Sequence, residues 1–275
     1  MELLQWQLDT LHQKQLGILK EIQRICEAND IDYFAIAGTL LGAVRHDGFI
    51  PWDDDIDLGM MRSDYCKFVE SAKQQLHPNF FLQTCETDPG FGLPMAKIRL
   101  NDTKLIEGAS VNVNCHQGIF VDIFPFDEKP DAPMRRWFHA MSSYVLKRAL
   151  LARTGYAVGA QKNMILRLAF SALIAVLSLI PTESLVQLFE RQMKQFNGSD
   201  NTECVTVAGS YGYRRESFQR SWADDLVDFE FEGLKIRGFR DADTYLSKLY
   251  GDYLQLPAEN ERGQRHDIRA IDFGD

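Results

Sequence analysis

The sequence predicts a mixed α/β fold of the α+β type, and three observations support this. Apolar residues recur at helical spacing over residues 3–28, which is typical of an amphipathic helix packed on a core. Short apolar runs bounded by Gly, Pro and Asp then alternate with helical segments, as in a sheet flanked by helices. From Asp131 to about Phe196 the pattern is that of helices alone. The chain therefore combines a strand-rich part with a helical part.

Individual elements follow in chain order. The run DYFAIAG (32–38) predicts a buried strand closed by Gly38, and TLLGAVRH (39–46) predicts two helical turns with Thr39 near the N-cap. The run DIDLGMM (55–61) returns to strand character. Later elements are strands at FFLQT, LPMAKIRL, TKLIE and GIFVDIFPF between 80 and 124, a hairpin over 227–239 turning at Glu232-Gly233, and a helix capped by Asp241.

A change of pattern near residue 130 divides the chain into two parts. Residues 1–130 are predicted to form a strand-rich core, and residues 131–275 a mostly helical part that completes the same domain. Within the second part, residues 164–180 are strongly apolar, but the unbroken run is shorter than the roughly 20 residues that span a bilayer. A core helix, a helix resting on a membrane surface and a true span all remain open for this segment.

The composition disfavours a nucleic-acid-binding protein and a disulfide-rich or zinc-binding protein. The formal charge of −9 and the sequence pI near 5.2 disfavour a broad nucleic-acid surface, which needs clustered Lys and Arg. The five cysteines are scattered and never form CxxC, as expected of reduced thiols rather than a disulfide framework or a zinc site. The start MELLQWQLDT lacks the basic and apolar regions of a signal peptide. We therefore expect a cytoplasmic protein, with peripheral contact at the inner membrane face if 164–180 rests there.

Four aspartates crowd a stretch that is otherwise apolar: Asp53, Asp54, Asp55 and Asp57. On a strand, residues two apart point to the same side, so Asp55 and Asp57 should project together, with Asp53 beside them and Asp54 pointing away. Adjacent buried carboxylates repel each other, and Mg²⁺ or Mn²⁺ would relieve that repulsion. The alternative is an acidic loop with solvated carboxylates.

Two further features favour the metal site. Gly38-Thr39 lies at a predicted strand-to-helix turn, where backbone N–H groups can bind phosphate. Asp122 lies within GIFVDIFPF, and a lone carboxylate in such a strand needs a partner, for which a third metal ligand would serve. Together these residues suit an enzyme that holds nucleotide phosphates on metal ions.

The stretch AGTLLGAVRHDGFIPWDDDIDLGMMRSDY (37–65) closely resembles the signature of the LicD family. That family contains the phosphorylcholine transferases of bacterial surface glycans together with fukutin and fukutin-related protein, and it is more distantly similar to the polymerase-β nucleotidyltransferase superfamily. Later blocks resemble the family in the same order: MAKIRLNDTKLIE (95–107), GIFVDIFPFDEKP (118–130) and YGDYLQLP (250–257). The resemblance implies a nucleotidyltransferase-like mixed sheet with flanking helices.

The resemblance also implies an activity, the metal-dependent transfer of phosphocholine from a CDP-activated donor, with CDP-choline favoured. The acceptor would be a hydroxyl of a glycan or glycolipid, such as a precursor of lipopolysaccharide, teichoic acid or capsule. Asp55, Asp57 and Asp122 would hold Mg²⁺ (or Mn²⁺), and Asp53 or Asp122 would take the acceptor proton. The distance of the cluster from Thr39 leaves open whether Asp53–Asp55 or Asp55–Asp57 is the main metal pair.

Seven residues are candidates for substrate binding, each with a structural alternative. Gly38 and Thr39 could contact phosphate or simply form a turn, and Lys97 could contact phosphate or extend its head to solvent. Arg45 and His46 could neutralise donor phosphate or be solvated surface residues, and Trp52 could stack on a base or pack in the fold. Arg99 lies on the same face as Lys97 and has the same two alternatives. The full set is Gly38, Thr39, Arg45, His46, Trp52, Lys97 and Arg99. His266, in the basic tail RGQRH, is expected to be solvated rather than catalytic.

Three alternative functions remain open at this point. The same aspartates could transfer ribitol phosphate or glycerol phosphate from a CDP donor, or a nucleotidyl group. A degenerate transferase acting as a binding protein is disfavoured because every candidate aspartate is present. Modification of a nucleic acid is disfavoured by the acidic balance.

Overall fold

A computed structural model describes residues 2–157, 177, 179–264 and 266–274. In these parts of the chain a curled mixed sheet is flanked by helices, which confirms the predicted α/β class. The sheet path runs β1-β2-β6-β4-β3, and β7 and β8 extend it from the far half of β6. The strands are β1 (Phe34–Ala35), β2 (Asp57–Met61), β3 (Phe80–Gln83), β4 (Ala96–Leu100), β5 (Lys104–Glu107), β6 (Phe120–Lys129), β7 (Glu203–Val205) and β8 (Ser217–Gln219).

The helices of the first half surround the start of this sheet. They are α1 (Gln5–Ala28), α2 (Ala37–His46) and α3 (Arg62–Gln75). The apolar stripe of α1 is buried, as its periodicity predicts, and includes Leu11, Ile18, Leu19 and Ile22. α1 contacts β4, β6 and α3, so it lies across the strands that carry the candidate site.

Two predicted boundaries are wrong by a few residues. Strand β1 ends at Ala35 and α2 already begins at Ala37, so Gly38 and Thr39 lie in the first turn of the helix. Ala37 has a left-handed φ of 47°, which breaks the extended backbone one residue before Gly38. Strand β2 begins at Asp57, so Asp55 lies in the extended segment just before the ladder.

The later elements return to the first half of the chain. They are α4 (Pro133–Thr154), α5 (Thr182–Lys194), the hairpin β9 (Leu226–Phe231) with β10 (Leu234–Phe239), α6 (Ala242–Tyr250) and β11 (Ile268–Asp272). The hairpin turns at Glu232-Gly233 and the Asp241 side chain caps α6 by accepting from the Thr244 N–H, both as predicted. α6 packs on α2, and β11 pairs antiparallel with β5.

Two buried apolar clusters support these layers. The larger surrounds the sheet, and the smaller joins α4 to α5 through Leu146, Leu150, Leu185 and Phe189. The predicted division at residue 130 stays a prediction. Among the described residues, none of the helices combines the length and the apolar character that crossing a bilayer requires. Apart from residues 177, 179 and 180, the apolar segment 164–180 lies outside the described residues.

Candidate active site

A row of charged side chains crosses the middle of the sheet. Parallel pairing of β2 with β6 sets Asp57 opposite Asp122, and antiparallel pairing of β6 with β4 sets Lys97 opposite Asp122. Residues directly opposite each other project to the same face of a sheet. Asp57, Asp122 and Lys97 therefore share one face, with two carboxylates beside one ammonium group.

The carboxylates at the start of β2 carry more negative charge than their surroundings neutralise. Burial, followed by the charges of Asp57 and Asp53, raises the pKa of Asp55 well above its ordinary value. Burial and then the charge of Asp122 raise the pKa of Asp57 to about 8. Both directions follow from like charges held in a poorly solvated place. Such a group would gain from a divalent cation.

Lys97 is the nearest counter-charge on β4. Its Nζ lies 2.8 Å from Asp122 Oδ1 and 3.4 Å from the centroid of the Phe120 ring, and its side chain is only 5% exposed. Even so, burial outweighs the ammonium group and raises the pKa of Asp122. Lys97 is thus a buried partner of Asp122, and its head does not extend to solvent as the structural alternative supposed.

Asp54 faces a partner from the C-terminal tail. Its Oδ1 lies 2.7 Å from His266 Nδ1, and His266 Nε2 lies 3.8 Å from both Asp55 Oδ2 and Glu107 Oε1. Burial would lower the pKa of His266, but the hydrogen bond to Asp54 and the charges of Asp55, Asp54 and Glu107 together raise it to about 11. His266 is therefore only partly solvated, with 35% of its side chain exposed, and a catalytic role for it is untested. It is a cation held beside the acidic cluster.

Glu107, at the end of β5, joins the two halves of this network. Its carboxylate lies 4.0 Å from Lys97 Nζ and 3.8 Å from His266 Nε2. Burial would raise the pKa of Glu107, but the charges of Lys97, His266 and Arg99 outweigh it and hold the pKa below its usual range. Glu107 therefore stays ionised between the two cations.

Carboxylate oxygens are ligands that suit Mg²⁺ or Mn²⁺, and Asp55, Asp57 and Asp122 supply them on adjacent segments. Asp122 Oδ1 already pairs with Lys97 Nζ at 2.8 Å. The fit to a cation therefore rests on the burial and mutual repulsion that raise the pKa values of Asp55 and Asp57.

The spacing of the ligand atoms points to another trio. In the parts of the chain that the structure describes, potential ligand atoms of Asp54, Asp55 and His266 all lie within 4.8 Å of one another. The predicted ligands Asp55, Asp57 and Asp122 do not form a group with that spacing. Asp54 and His266 already bond to each other, and a protonated imidazole has no lone pair for a metal. We therefore regard His266 as a counter-ion of the cluster rather than a ligand.

The first turn of α2 lies directly against the acidic segment. A Cβ added to Gly38 would lie 2.4 Å from Asp53 Oδ2, so only glycine allows that carboxylate its position. Thr39 is buried, and its Oγ1 accepts a hydrogen bond of 2.8 Å from the Asp57 N–H. Both residues thus position the cluster, and their contact with phosphate stays a prediction.

Helix α1 holds the backbone of the acidic segment from the other side. His12 Nε2 lies 2.8 Å from the Asp53 carbonyl oxygen. The buried Gln15 amide donates to the carbonyl oxygens of Asp54 at 2.9 Å and of Phe120 at 3.4 Å. Gln15 therefore ties the aspartate segment to β6, which carries Asp122. Nothing in the helical pattern of α1 marks this role except a polar residue on its buried side.

The remaining candidates, Arg45, His46 and Trp52, make contacts with other parts of the chain. Arg45 donates to the Tyr253 carbonyl oxygen at 2.7 Å and to His46 Nε2 at 3.0 Å, roughly 10 Å of helix beyond Gly38. The ring of Trp52 is half-buried and lies 5.6 Å from the Arg262 guanidinium carbon. The substrate contacts of these three residues stay predictions.

Arg99 shares the face of Lys97, as the alternation predicts, but its guanidinium is buried. It donates at 2.5 Å to Gln83 Oε1 and at 2.5 Å to the Gly118 carbonyl oxygen, and it lies over the Phe120 ring. These contacts occupy two of its donors and fix the strands around Asp122. A role in substrate binding is untested.

A curled mixed sheet with clustered carboxylates at the junction of β2 and β6 defines the chain as an α/β protein with an acidic site on its sheet. Residues 30–153 match the family described as "LicD/FKTN/FKRP, nucleotidyltransferase domain", and that range contains every candidate aspartate together with Lys97 and Glu107. Residues 30–153 therefore carry a LicD-type domain.

Individual relatives agree with this assignment. The sequence is 28% identical over 269 residues to the lipopolysaccharide cholinephosphotransferase LicD of Haemophilus influenzae, which covers 94% of this chain and 96% of that protein. It is 48% identical over 64 residues to the ribitol 5-phosphate transferase FKRP of human and of mouse, which is 21% of this chain and 13% of those proteins. The first similarity extends over both parts of the chain, whereas the second is local.

Proposed function

We propose that the chain transfers phosphocholine from CDP-choline to a hydroxyl of a cell-surface glycan or its lipid-linked precursor. The observation that carries this proposal is the near full-length similarity to a cholinephosphotransferase that acts on lipopolysaccharide. The clustered carboxylates lie inside the family-matched range, where a diphosphate donor would need charge neutralisation.

In the proposed reaction the acceptor hydroxyl oxygen forms a bond to the phosphorus of phosphocholine, and the bond from that phosphorus to the CMP oxygen breaks. The acceptor proton passes to a carboxylate, for which Asp53 and Asp122 are the candidates. Asp55, Asp57 and Asp122 would hold Mg²⁺ (or Mn²⁺), which when bound neutralises charge on the transferred group and on the leaving CMP.

Positively charged side chains of the protein would help to neutralise the charge on the transferred group and on the leaving CMP. Lys97 holds Asp122 in place through its ion pair and presents an ammonium group on the face where the donor would lie. His266 would act on the charge of Asp55, and Glu107 would hold His266 from its other side. Gly38 and Thr39 would fix the acidic segment while the donor is bound.

A donor panel tests the proposal. Purified full-length protein is incubated with Mg²⁺, a lipid-linked glycan preparation and CDP-choline, CDP-ribitol or CDP-glycerol, and the release of CMP is measured. We expect CDP-choline to be the preferred donor and the glycan to gain the mass of phosphocholine. Release from CDP-ribitol alone would transfer the proposal to ribitol phosphate, which the FKRP similarity favours. Release from none of the three would overturn it.

A further inference from the structure

The outer side of α4 exposes large apolar side chains. Met134, Trp137 and Phe138 are exposed by 74%, 58% and 59%, and Met141 and Tyr144 by 39% and 38%. The rings of Trp137 and Phe138 contact each other edge to face, with centroids 4.9 Å apart. An exposed apolar patch of this size on one helix marks an interaction surface.

Helical spacing separates this surface from the packed side of α4. Residues 134, 137, 141 and 144 follow the three-and-four spacing of a single helix face. The opposite side buries His139, Ser143, Leu146 and Leu150 against α5. The outer face is therefore additional to the contacts that hold α4 in the fold. We call the set Met134, Trp137, Phe138, Met141 and Tyr144 the α4 outer face.

The charge around this face differs from that of the rest of the protein. The chain has a formal net charge of −9, yet residues 132–182 contain no Asp or Glu and seven Lys or Arg. Five of these basic residues lie on α4 itself: Arg135, Arg136, Lys147, Arg148 and Arg153. Arg135 and Arg153 are exposed, whereas Lys147 points inward and donates at 2.6 Å to the carbonyl oxygens of Ala208 and Gly209. A basic, aromatic helix in an acidic protein is complementary to a negatively charged apolar boundary.

We propose that the α4 outer face docks on the surface of a bilayer that contains anionic lipid. Trp, Phe and Tyr rings and Met side chains enter the boundary between headgroups and acyl chains, where aromatic residues are favoured, and the exposed Arg135 and Arg153 contact anionic headgroups. An ordinary protein-binding patch would not require a long acid-free block.

The position of α4 relates this face to the candidate site. The Ala157 N–H, just after the end of α4, donates at 3.0 Å to the carbonyl oxygen of Ala109, and Ala109 follows Glu107 by two residues. Docking of α4 would therefore keep the loop beside the acidic cluster near the membrane. This inference holds whichever phosphate-linked group is transferred.

Vesicle sedimentation with the full-length protein tests the proposal. One set of vesicles is phosphatidylcholine with about one third phosphatidylglycerol, and the other is phosphatidylcholine alone. The test variant is Trp137→Ser with Phe138→Ser. The matched control is Trp6→Ser, since Trp6 is 59% exposed on another helix, and circular dichroism with thermal melting checks the fold of each.

We expect the wild type and Trp6→Ser to bind the anionic vesicles, with weaker binding in high salt and to the neutral vesicles. The double variant should bind on the order of tenfold more weakly or worse, because two large apolar side chains no longer leave water. Unchanged binding by the double variant would place the contact elsewhere, for example in 164–180, and overturn the proposal. So would absent binding by the wild type, or a wild-type dimer that the double variant converts to a monomer.

Discussion

Carboxylates have opposite surroundings in the two halves of strand β6: like charge in the first half and hydrogen-bond donors in the second. Near the start of the strand, Asp122 faces Asp57 on β2, and burial together with like charge raises the pKa of Asp57 to about 8. Near its end, Asp127 accepts hydrogen bonds from Arg62 Nε at 2.8 Å, Arg62 Nη2 at 2.5 Å and Asn197 Nδ2 at 2.7 Å. The next residue, Glu128, accepts from the N–H groups of Gly198 and Ser199.

The difference separates stability from chemistry along one strand. Where donors surround a carboxylate, as at Asp127, its charge is neutralised by hydrogen bonds within the fold. Asp127 thereby connects β6 to α3 and to the chain after α5. Where carboxylates face each other, the fold carries a repulsion that a bound cation would relieve. We therefore expect the first half of β6 to serve function and the second half to serve structure.

The largest effect should come from Asp57→Asn. We expect the rate of CMP release from the CDP donor to fall on the order of 1000-fold or more, because the variant removes a charged group that acts on the reacting phosphate. The melting temperature in the absence of metal should stay equal or rise, since a repulsion with Asp122 is removed. Activity close to that of the wild type would exclude Asp57 from the mechanism.

Asp127→Asn should lower the stability of the protein and leave its activity nearly unchanged, the opposite of Asp57→Asn. Removing this charge leaves the Arg62 guanidinium buried without its ion partner, which should lower the free energy of unfolding by about 3–5 kcal/mol. Activity per folded molecule should change only a few-fold. Urea unfolding measures the first quantity, with Asp225→Asn as control, because the exposed Asp225–Arg240 pair should contribute less than about 1 kcal/mol. A stable Asp127→Asn protein with lost activity would reverse the assignment of the two halves.

A pair of glycine substitutions tests the geometry of the acidic segment. Gly38→Ala should displace the Asp53 carboxylate and lower activity roughly 10–100-fold, since small misplacements at a reacting centre have large effects on rate. Gly17→Ala on α1 is the control, because its added methyl meets nothing within 4 Å and should only favour the helix. Equal activities of the two variants would show that Gly38 is an ordinary helical residue.

The smallest expected effect is on the pH dependence of stability, through a buried histidine outside the candidate site. His139 lies between α4 and α5, with its ring nitrogens 2.7 Å from Tyr213 Oη and 2.9 Å from the Gln192 carbonyl oxygen. Burial lowers the pKa of His139 below 6.5, despite the opposing effects of Gln192 and Asp127. Its contribution to stability is therefore present above about pH 6.5 and is lost as the pH falls through the folded-state pKa.

Melting temperatures at about pH 7.5 and pH 5 check this expectation in the wild type and in His139→Gln. The variant should be less stable at the higher pH by about 1–3 kcal/mol, because buried hydrogen bonds are lost. Its loss of stability on acidification should be smaller than that of the wild type. An identical pH dependence in both proteins would mean that His139 does not titrate in this range.

The order of elements and the buried aspartates on strands could be predicted because both rest on local periodicity. Asp57 and Asp122 each lie among apolar residues, and alternation alone places Lys97 and Arg99 on one face. The register that sets Asp57 opposite Asp122 depends on pairing between distant segments and is not encoded in either run alone.

The parts that escaped prediction are long-range contacts. His266 follows Asp54 by more than two hundred residues, and only the pairing of β11 with β5 brings its ring to the cluster. Its surroundings in the sequence are polar and basic, which favours a solvated tail. Gln15 likewise looks like one polar position on an amphipathic helix, and its bonds to two carbonyl oxygens depend on how α1 crosses the sheet.

Mg²⁺-dependent thermal stability tests the assignment of the first half of β6 most directly. The wild type, Asp57→Asn and Asp225→Asn are melted over a series of Mg²⁺ concentrations at constant ionic strength, so that the two variants share the same change in net charge. We predict that Mg²⁺ raises the melting temperature of the wild type and of Asp225→Asn, and leaves that of Asp57→Asn unchanged. Equal stabilisation of all three proteins, or of none, would contradict a cation site built on Asp57 and Asp122.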